Sequence, residues 1–165
     1  IPQKIFSNHT VLIGGDRMGT RLIPILQKRP EPLVVIDFNP KVVQKLSTLT
    51  EIFSMYGDIG DPEALEILNI DQAKLVVSTI NNNEQDLLIL DKVRSLKQRP
   101  TAIFVANNAR GALTLYEKGA DYVIVPSFVS GDHLAHTLSS HGIKKEYFQK
   151  LKDRDFTRFA KERLL

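Results

Sequence analysis

Short apolar runs recur along the chain about every 20 to 25 residues, and polar segments with helical features separate them. Most runs are continuously apolar and rich in valine and isoleucine, without alternation between apolar and polar residues. Such runs are typical of strands that are buried on both faces of a sheet. The pattern predicts strands over residues 10–15, 33–37, 51–57, 74–79, 101–107 and 121–126.

The segments between the runs carry helix-start signals. Asn39 precedes Pro40, and Asp61 precedes Pro62. An Asn or Asp side chain accepts a free amide at a helix start, and proline has no amide to leave unpaired there. Apolar residues at helical spacing predict a further helix over 83–96. Because strands and helices alternate, the sequence predicts an α/β fold, a Rossmann-like doubly wound sheet of six parallel strands in the order 3-2-1-4-5-6.

The pattern changes after Pro126, where no seventh strand is evident. We expect a helix over 131–140 and one or two basic amphipathic helices over 144–165. Their apolar side is formed by Tyr147, Phe148, Leu151, Phe156 and Phe159. The sequence therefore predicts a domain over 1–141 and a helical tail over 142–165, which is more often a packing or dimer contact than a docking surface for a membrane or a transporter.

Composition and charge narrow the class of protein. The 165 residues suffice for one domain with its own core, and the absence of cysteine excludes disulfides and cysteine nucleophiles. Residues 144–165 hold eight Lys or Arg against four Asp or Glu, so the body is nearly neutral and no nucleic-acid partner is expected. No run reaches the roughly 18 to 20 apolar residues that cross a bilayer. The chain begins with Ile1, so we expect it to be a piece of a longer protein.

The first predicted strand leads into the turn GGDRMG over residues 14–19. A dinucleotide-binding fingerprint needs one glycine for the tight turn, a second where the backbone approaches pyrophosphate, and a third where the helix packs on the strand. Gly14 and Gly19 fill the first and third places, and Asp16 stands at the second. Asp37, at the end of the second predicted strand, is expected to accept hydrogen bonds from ribose hydroxyls, which favours NAD or adenosine over NADP.

Two interpretations of Asp16 stay open. If a helix starts near Arg17, the Asp16 carboxylate caps it and occupies amides that a phosphate would use. Alternatively the carboxylate faces a bound phosphate, and like charges about 4 Å apart repel by about 4 kcal/mol at an effective dielectric constant of about 20. A nucleotide would then bind with its phosphates displaced, or with a divalent ion between the charges.

Further candidates follow the other predicted strands. Thr79 and Ile80 are expected to border an adenosine, and Asn107 lies at the same edge of the sheet. Asp58 contacts adenine or ribose, or caps its own turn, since GDIGD is also typical turn sequence. Arg110 is interpreted as a solvated helix end in preference to a phosphate ligand.

Five segments carry a resemblance through their order and spacing, namely residues 14–19, VVIDFNP, YGDIGDPEAL, AKLVVSTINNNEQDLLIL and GADYVIVP. Together they resemble the RCK or TrkA-N family, over about residues 10–141. This family regulates potassium channels and cation/proton antiporters. The resemblance implies a cytoplasmic gating module, usually a homodimer, that binds NAD(H), AMP, ADP or ATP. Its partner would be a membrane ion-transport domain, expected in the same polypeptide.

The resemblance also assigns site residues by position. Gly14, Asp16, Arg17 and Gly19 would form the phosphate turn, Asp37 would hold the ribose, and Asp58, Thr79 and Ile80 would line the adenosine. The expected cofactor-binding residues in full are Gly14, Gly15, Asp16, Arg17, Met18, Gly19, Asp37, Phe38, Asp58, Ile59, Thr79 and Ile80.

No catalytic residue is evident, so an enzyme is not expected. Four tyrosines lack a lysine four residues further on, namely Tyr56, Tyr116, Tyr122 and Tyr147. His133, His136 and His141 lack an acid or a fourth ligand nearby, so no metal site is predicted either. The alternatives to a regulatory domain are a fragment of an NAD-dependent oxidoreductase and a degenerate Rossmann domain that only dimerises.

Overall fold

The computed structural model describes residues 6–163, and strands and helices alternate between residues 9 and 124. The strands are β1 (His9–Ile13), β2 (Leu33–Asp37), β3 (Ile52–Tyr56), β4 (Ala73–Ser78), β5 (Thr101–Val105) and β6 (Tyr122–Ile124). The helices are α1 (Met18–Leu26), α2 (Pro40–Leu46), α3 (Pro62–Leu68), α4 (Asn83–Arg94), α5 (Ala109–Glu117), α6 (Pro126–His141) and α7 (Lys145–Arg163), with a 3-10 turn at Ile70–Gln72. Neighbouring strands pair in parallel in the order β3-β2-β1-β4-β5-β6, which confirms the predicted fold class and strand order.

The burial of each strand follows its place in the sheet. Every residue of β1 and β2 is buried, whereas β3, at one edge, is half-exposed. Successive residues of β1 enter opposite layers of the core, with Val11 and Ile13 on one side and Leu12 on the other. The continuously apolar pattern is thus a property of the inner strands, which helices cover on both faces.

The predicted helix starts are confirmed for α2 and α3. Asn39 accepts a hydrogen bond from the Lys41 amide, and Asp61 accepts one from the Glu63 amide, both at 3.0 Å. These caps fix where each helix begins after its strand. They therefore also fix the direction of the loops that leave β2 and β3.

The Gly-Ala-Asp sequence before β6 has a structural role. Gly119 adopts a φ of +106°, which an L side chain rarely allows. Asp121 then accepts a hydrogen bond from the Ala102 amide through Oδ2 at 2.7 Å and donates its own amide to the Ala102 carbonyl at 2.9 Å. These bonds tie the start of β6 to the start of β5.

The chain divides into two compact units, Ile1–Pro126 and Ser127–Leu165. The predicted helix over 131–140 is too short, because α6 begins at Pro126, directly after a strand of three residues. Proline is favourable there since the first helical positions need no amide donor. One helix, α7, occupies the tail, and the predicted residues 164–165 lie outside the described range. The division into a domain over 1–141 and a helical tail over 142–165 stays a prediction.

Candidate functional site

The carboxyl ends of β1, β2 and β4 surround a cleft of about 220 Å³. The residues that line it are Gly14, Asp16, Arg17, Asp37, Phe38, Asn39, Thr79 and Ile80. A second cavity of about 20 Å³ shares Asp37, Phe38 and Ile80 with the cleft and extends to Asp58, Ile59 and Gln85. The two cavities lie where a doubly wound sheet reverses its winding, the usual ligand position in such a fold.

The glycine turn is held together by close packing. Gly14 has a φ of +91°, and a Cβ there would stand 2.5 Å from the Thr79 Oγ1. Thr79 donates that hydroxyl to the Gly14 carbonyl at 3.0 Å. A Cβ on Gly19 would stand 2.0 Å from the Gly14 carbonyl oxygen, so α1 packs directly on the turn. Both positions require glycine for steric reasons that do not depend on a ligand.

Asp37 braces the turn from the end of β2. It is buried, and its Oδ2 accepts the Gly15 amide while its Oδ1 accepts the Asn39 amide, each at 2.8 Å. Each carboxylate oxygen has lone pairs left after one such bond. Asp37 therefore fixes two loops of the cleft and keeps acceptor capacity that a hydroxyl could use.

Three of the predicted turn residues do not line either cavity, namely Gly15, Met18 and Gly19. Gly15 is buried, and a Cβ there would meet the Leu46 side chain at 2.6 Å. Gly15 and Gly19 are thus packed into the structure behind the cleft, and they act on its shape through Asp37 and Gly14.

Capping of α1 by Asp16 is wrong. The helix begins at Met18, its N-cap is Arg17, and no side chain caps it. The Asp16 backbone carbonyl accepts the Gly19 amide at 2.8 Å and closes the turn, while Arg17 takes a φ of 43°, unusual for a residue with a Cβ. The side chains of Asp16 and Arg17 are both exposed at the mouth of the cleft, one of each charge.

The remaining predicted positions separate into two groups. Phe38, Ile59 and Ile80 give apolar walls to the cavities, and Phe38 does so while 70% exposed. Asn107 and Arg110 are exposed and line neither cavity. The Asn107 side chain instead accepts a hydrogen bond from the Asn81 amide group.

Sequence reasoning missed Asn39 and Gln85 as cavity residues. The sequence indicates only a helix cap at Asn39, although a cap directly after β2 must lie at the same edge as Asp37. Gln85 follows the N-cap of α4 by three residues, and Asn82 accepts its backbone amide at 3.2 Å. A prediction of that cap would have placed Gln85 at the carboxyl edge of the sheet.

Neither a metal cluster nor a membrane span is found between residues 6 and 163. No three His, Asp or Glu side chains there stand close enough to hold an ion. His141 stacks on Tyr147 with ring centroids 3.7 Å apart. In the same range, no helix is both long and apolar enough to cross a membrane.

Comparison with known proteins identifies a family whose model matches this chain. Residues 10–126 match the family model of the TrkA-N domain. The putative K(+) efflux antiporter KefB of Alkalimonas amylolytica is 26% identical over 131 residues, 79% of this chain and 20% of that protein. The chain spans about a fifth of the length of the curated relatives it matches.

Solved structures share the fold. The TrkA-N domain of the inner membrane protein ybaL from Escherichia coli superposes with a TM-score of 0.75 and 23% identity, over 82% of this chain and 99% of that domain. The GsuK channel bound to NAD superposes with a TM-score of 0.62 and 25% identity, over 76% of this chain and 22% of the channel.

Proposed function

The chain belongs to the TrkA-N domain family, and from that premise we propose that it is the regulatory nucleotide-binding domain of a potassium channel or a monovalent cation/proton antiporter. It binds an adenine nucleotide, which is NAD(H), AMP, ADP or ATP. Binding shifts the domain between two states, and this shift gates ion transport by a membrane domain of the same polypeptide. The domain lies at the cytoplasmic face of that membrane.

The cleft at the carboxyl ends of β1, β2 and β4 carries this proposal. It combines a glycine turn, a braced carboxylate at Asp37 and apolar walls at Phe38 and Ile80. A nucleotide needs these three features for its phosphates, its ribose and its base, respectively. An acid at Asp37 also repels a 2'-phosphate, so NADPH is expected to bind more weakly than NADH.

The relatives support the ion-transport context. KefB of Alkalimonas amylolytica is described as a putative K(+) efflux antiporter, and the GsuK channel was solved bound to NAD. Both are much longer than this chain, which corresponds to about a fifth of each. A role as one regulatory part of a larger transporter accords with that proportion.

The proposed partner in the assembly is a second copy of this chain. Large apolar side chains of α6 and α7 are exposed, namely Phe128, Val129, Leu134, Leu138, Phe156 and Phe159. Helices with so much exposed apolar surface usually belong to an interface. Light scattering coupled to gel filtration is expected to give the mass of a dimer, and a monomeric mass across the micromolar range would exclude this part of the proposal.

Isothermal titration calorimetry tests the ligand directly. Titrations with NADH, AMP, ADP and ATP are expected to give binding heat for at least one ligand, and NADPH serves as the control that Asp37 should reject. If none of the four ligands binds, with or without Mg²⁺, the nucleotide function is wrong, and the fold serves dimerisation alone.

A further inference from the structure

A side-chain hydrogen bond joins the start of α4 to the loop after β3, two elements whose strands are not neighbours in the sheet. Gln85, at the start of α4, donates its Nε2 to the Asp58 Oδ1 at 2.7 Å. Asp58 follows β3 and α4 follows β4, and two other strands lie between β3 and β4 in the sheet. A carboxylate only accepts hydrogen bonds, so the amide nitrogen of Gln85 must be the atom that faces it.

Gln85 is itself held in place. Asn82 caps α4 and accepts the Gln85 backbone amide at 3.2 Å. The Gln85 side chain is partly buried and lines the same small cavity as Asp58 and Ile59. The bond therefore runs from a capped helix start to the exposed loop after β3.

The two bonds to Asp58 leave its carboxylate asymmetric. Oδ1 accepts both the Gln85 Nε2 and the Gly60 amide, the latter at 2.8 Å. Among the residues that the structure describes, none donates a hydrogen bond to Asp58 Oδ2. One oxygen is thus fixed by the protein, and the second remains as an acceptor next to the apolar residues Ile59 and Ile80.

Resting on the proposed nucleotide function, we infer that Gln85 is a positioning residue that sets the choice of base. By holding Asp58 through Oδ1, it keeps Oδ2 ready to accept a hydrogen bond from the exocyclic amino group of a 6-aminopurine. A carboxylate favours an N–H donor and repels the lone pairs of a 6-oxo group. The bond to Gln85 thereby gives the domain its preference for adenine over other purines.

Two ligands that differ only in this amino group test the inference. They are AMP and purine riboside 5'-monophosphate, and the quantity measured by calorimetry is the ratio of their dissociation constants. For the unaltered protein we expect about a tenfold preference for AMP, since a hydrogen bond to a charged acceptor is among the stronger ones. For Gln85→Met, which keeps the side-chain length and removes the N–H, the preference is expected to fall to about twofold.

Matched variants separate positioning from general damage. Gln85→Glu places a second carboxylate against Asp58 and is expected to lower the ratio at least as far as Gln85→Met. Gln44→Met changes an exposed glutamine of α2 that lines neither cavity, and it should keep the full ratio. Purine riboside 5'-monophosphate should bind Gln44→Met as tightly as the wild type, and in both Gln85 variants it should lose less affinity than AMP, because it makes no use of the amino-group acceptor.

The outcomes are distinct. An unchanged ratio in Gln85→Met overturns the inference, as does an equal loss of affinity for both ligands, which indicates a purely structural role. A wild-type protein without preference for AMP overturns it as well and leaves nucleotide binding intact. Binding of neither ligand by the wild type overturns this inference, whereas the proposed function is overturned only if NADH, ADP and ATP fail to bind as well.

Discussion

The carboxyl edge of the sheet has two halves of opposite character. The glycine-turn half consists of the loops after β1, β2 and β3, and its carboxylates at Asp37 and Asp58 accept backbone amides while facing a cavity. The asparagine half consists of residues 81–82 and 107–108, whose side-chain amides bond to one another and to the starts of α4 and α5. The first half keeps charged acceptors at a cavity, whereas the second bonds side-chain amides to one another and to helix starts.

This difference indicates which half of the edge is suited to recognise a ligand. Charged acceptors bound to loop amides give a rigid and selective surface. Side-chain amides that cap helices serve the stability of the fold. Substitutions of Gly19 and Asp37 in the glycine-turn half, each with a matched control elsewhere in the sheet, test this comparison, and a buried carboxyl group of α4 is tested through pH.

The largest effect is expected for Gly19→Ala. A Cβ there would stand 2.0 Å from the Gly14 carbonyl oxygen, and backbone cannot yield as a side chain can. We expect a loss of more than about 3 kcal/mol of unfolding free energy, together with the loss of nucleotide binding. Chemical denaturation and calorimetry measure the two quantities.

Its control is Gly111→Ala at the start of α5. There the new Cβ would meet the Asn83 side chain at 3.0 Å, which can move, and the Ala106 Cβ at 3.6 Å, an ordinary contact distance. Stability is expected to change by less than about 1 kcal/mol, and nucleotide affinity should stay the same. Equal damage by the two substitutions would show that the two halves do not differ in this way.

The next largest effect on stability and nucleotide affinity is expected for Asp37→Ala. It removes the acceptor of the Gly15 and Asn39 amides, so we expect a loss of about 2 to 3 kcal/mol in stability and at least a tenfold loss of nucleotide affinity. Asp121→Ala is the matched control, because Asp121 also accepts a backbone amide but lies far from the cleft residues in the sheet order. It should cost about 1 to 2 kcal/mol and leave affinity unchanged. If Asp37→Ala binds nucleotide normally, Asp37 has only a structural role.

Local sequence was sufficient to predict the main strands and helix starts of the fold. The continuous run Val34–Ile36 predicts an inner strand, and the Asp61-Pro62 pair predicts a helix start, because each signal depends only on neighbouring residues. Asp37 could be predicted to lie at the ligand edge for the same reason, since it ends a recognisable strand. The parallel pairing of the strands follows from the alternation of strands and helices.

The remaining features depend on backbone geometry or on distant pairs. Of the two interpretations of Asp16, capping is wrong because Arg17 takes a positive φ and the Asp16 carbonyl closes the turn instead. The bond between Asp58 and Gln85 joins positions 27 residues apart, and no local pattern encodes such a pair.

The substitution Asp86→Asn tests the buried carboxyl group of α4 through the pH dependence of stability. This helix begins beside the asparagine half. Asp86 is fully buried, its Oδ1 accepts the Ser78 hydroxyl at 2.6 Å, and burial raises the pKa of Asp86 to about 7. The folded protein therefore holds a proton that the unfolded chain releases near pH 3.8, and this contribution to stability is lost as the pH rises toward about 7. At pH 8 the Asn variant is expected to be more stable by about 1 to 2 kcal/mol.

Denaturation at several pH values checks this expectation. The wild type should lose stability between about pH 4 and pH 7 relative to Asp86→Asn, while Asp91→Asn, at an exposed position of the same helix, should follow the wild type. Burial lowers the pKa of His9, which adds a loss of stability toward acid in all three proteins alike. A wild type more stable than Asp86→Asn at pH 8 would contradict the assignment.

The smallest effect is expected for Asp16→Gly, which restores the second glycine of the turn. Because Asp16 is exposed and caps no helix, its carboxylate is free to repel a bound pyrophosphate, but water weakens that repulsion to about 1 kcal/mol at 4 Å. Calorimetry with NADH should therefore show about fivefold tighter binding. Asp16→Asn should give most of this gain, since it removes the charge and keeps the shape, and high salt should narrow the difference from the wild type. Unchanged or weaker binding in both variants would mean that Asp16 does not face the phosphates, and that the glycine-turn half selects its ligand through Asp37 and Asp58 alone.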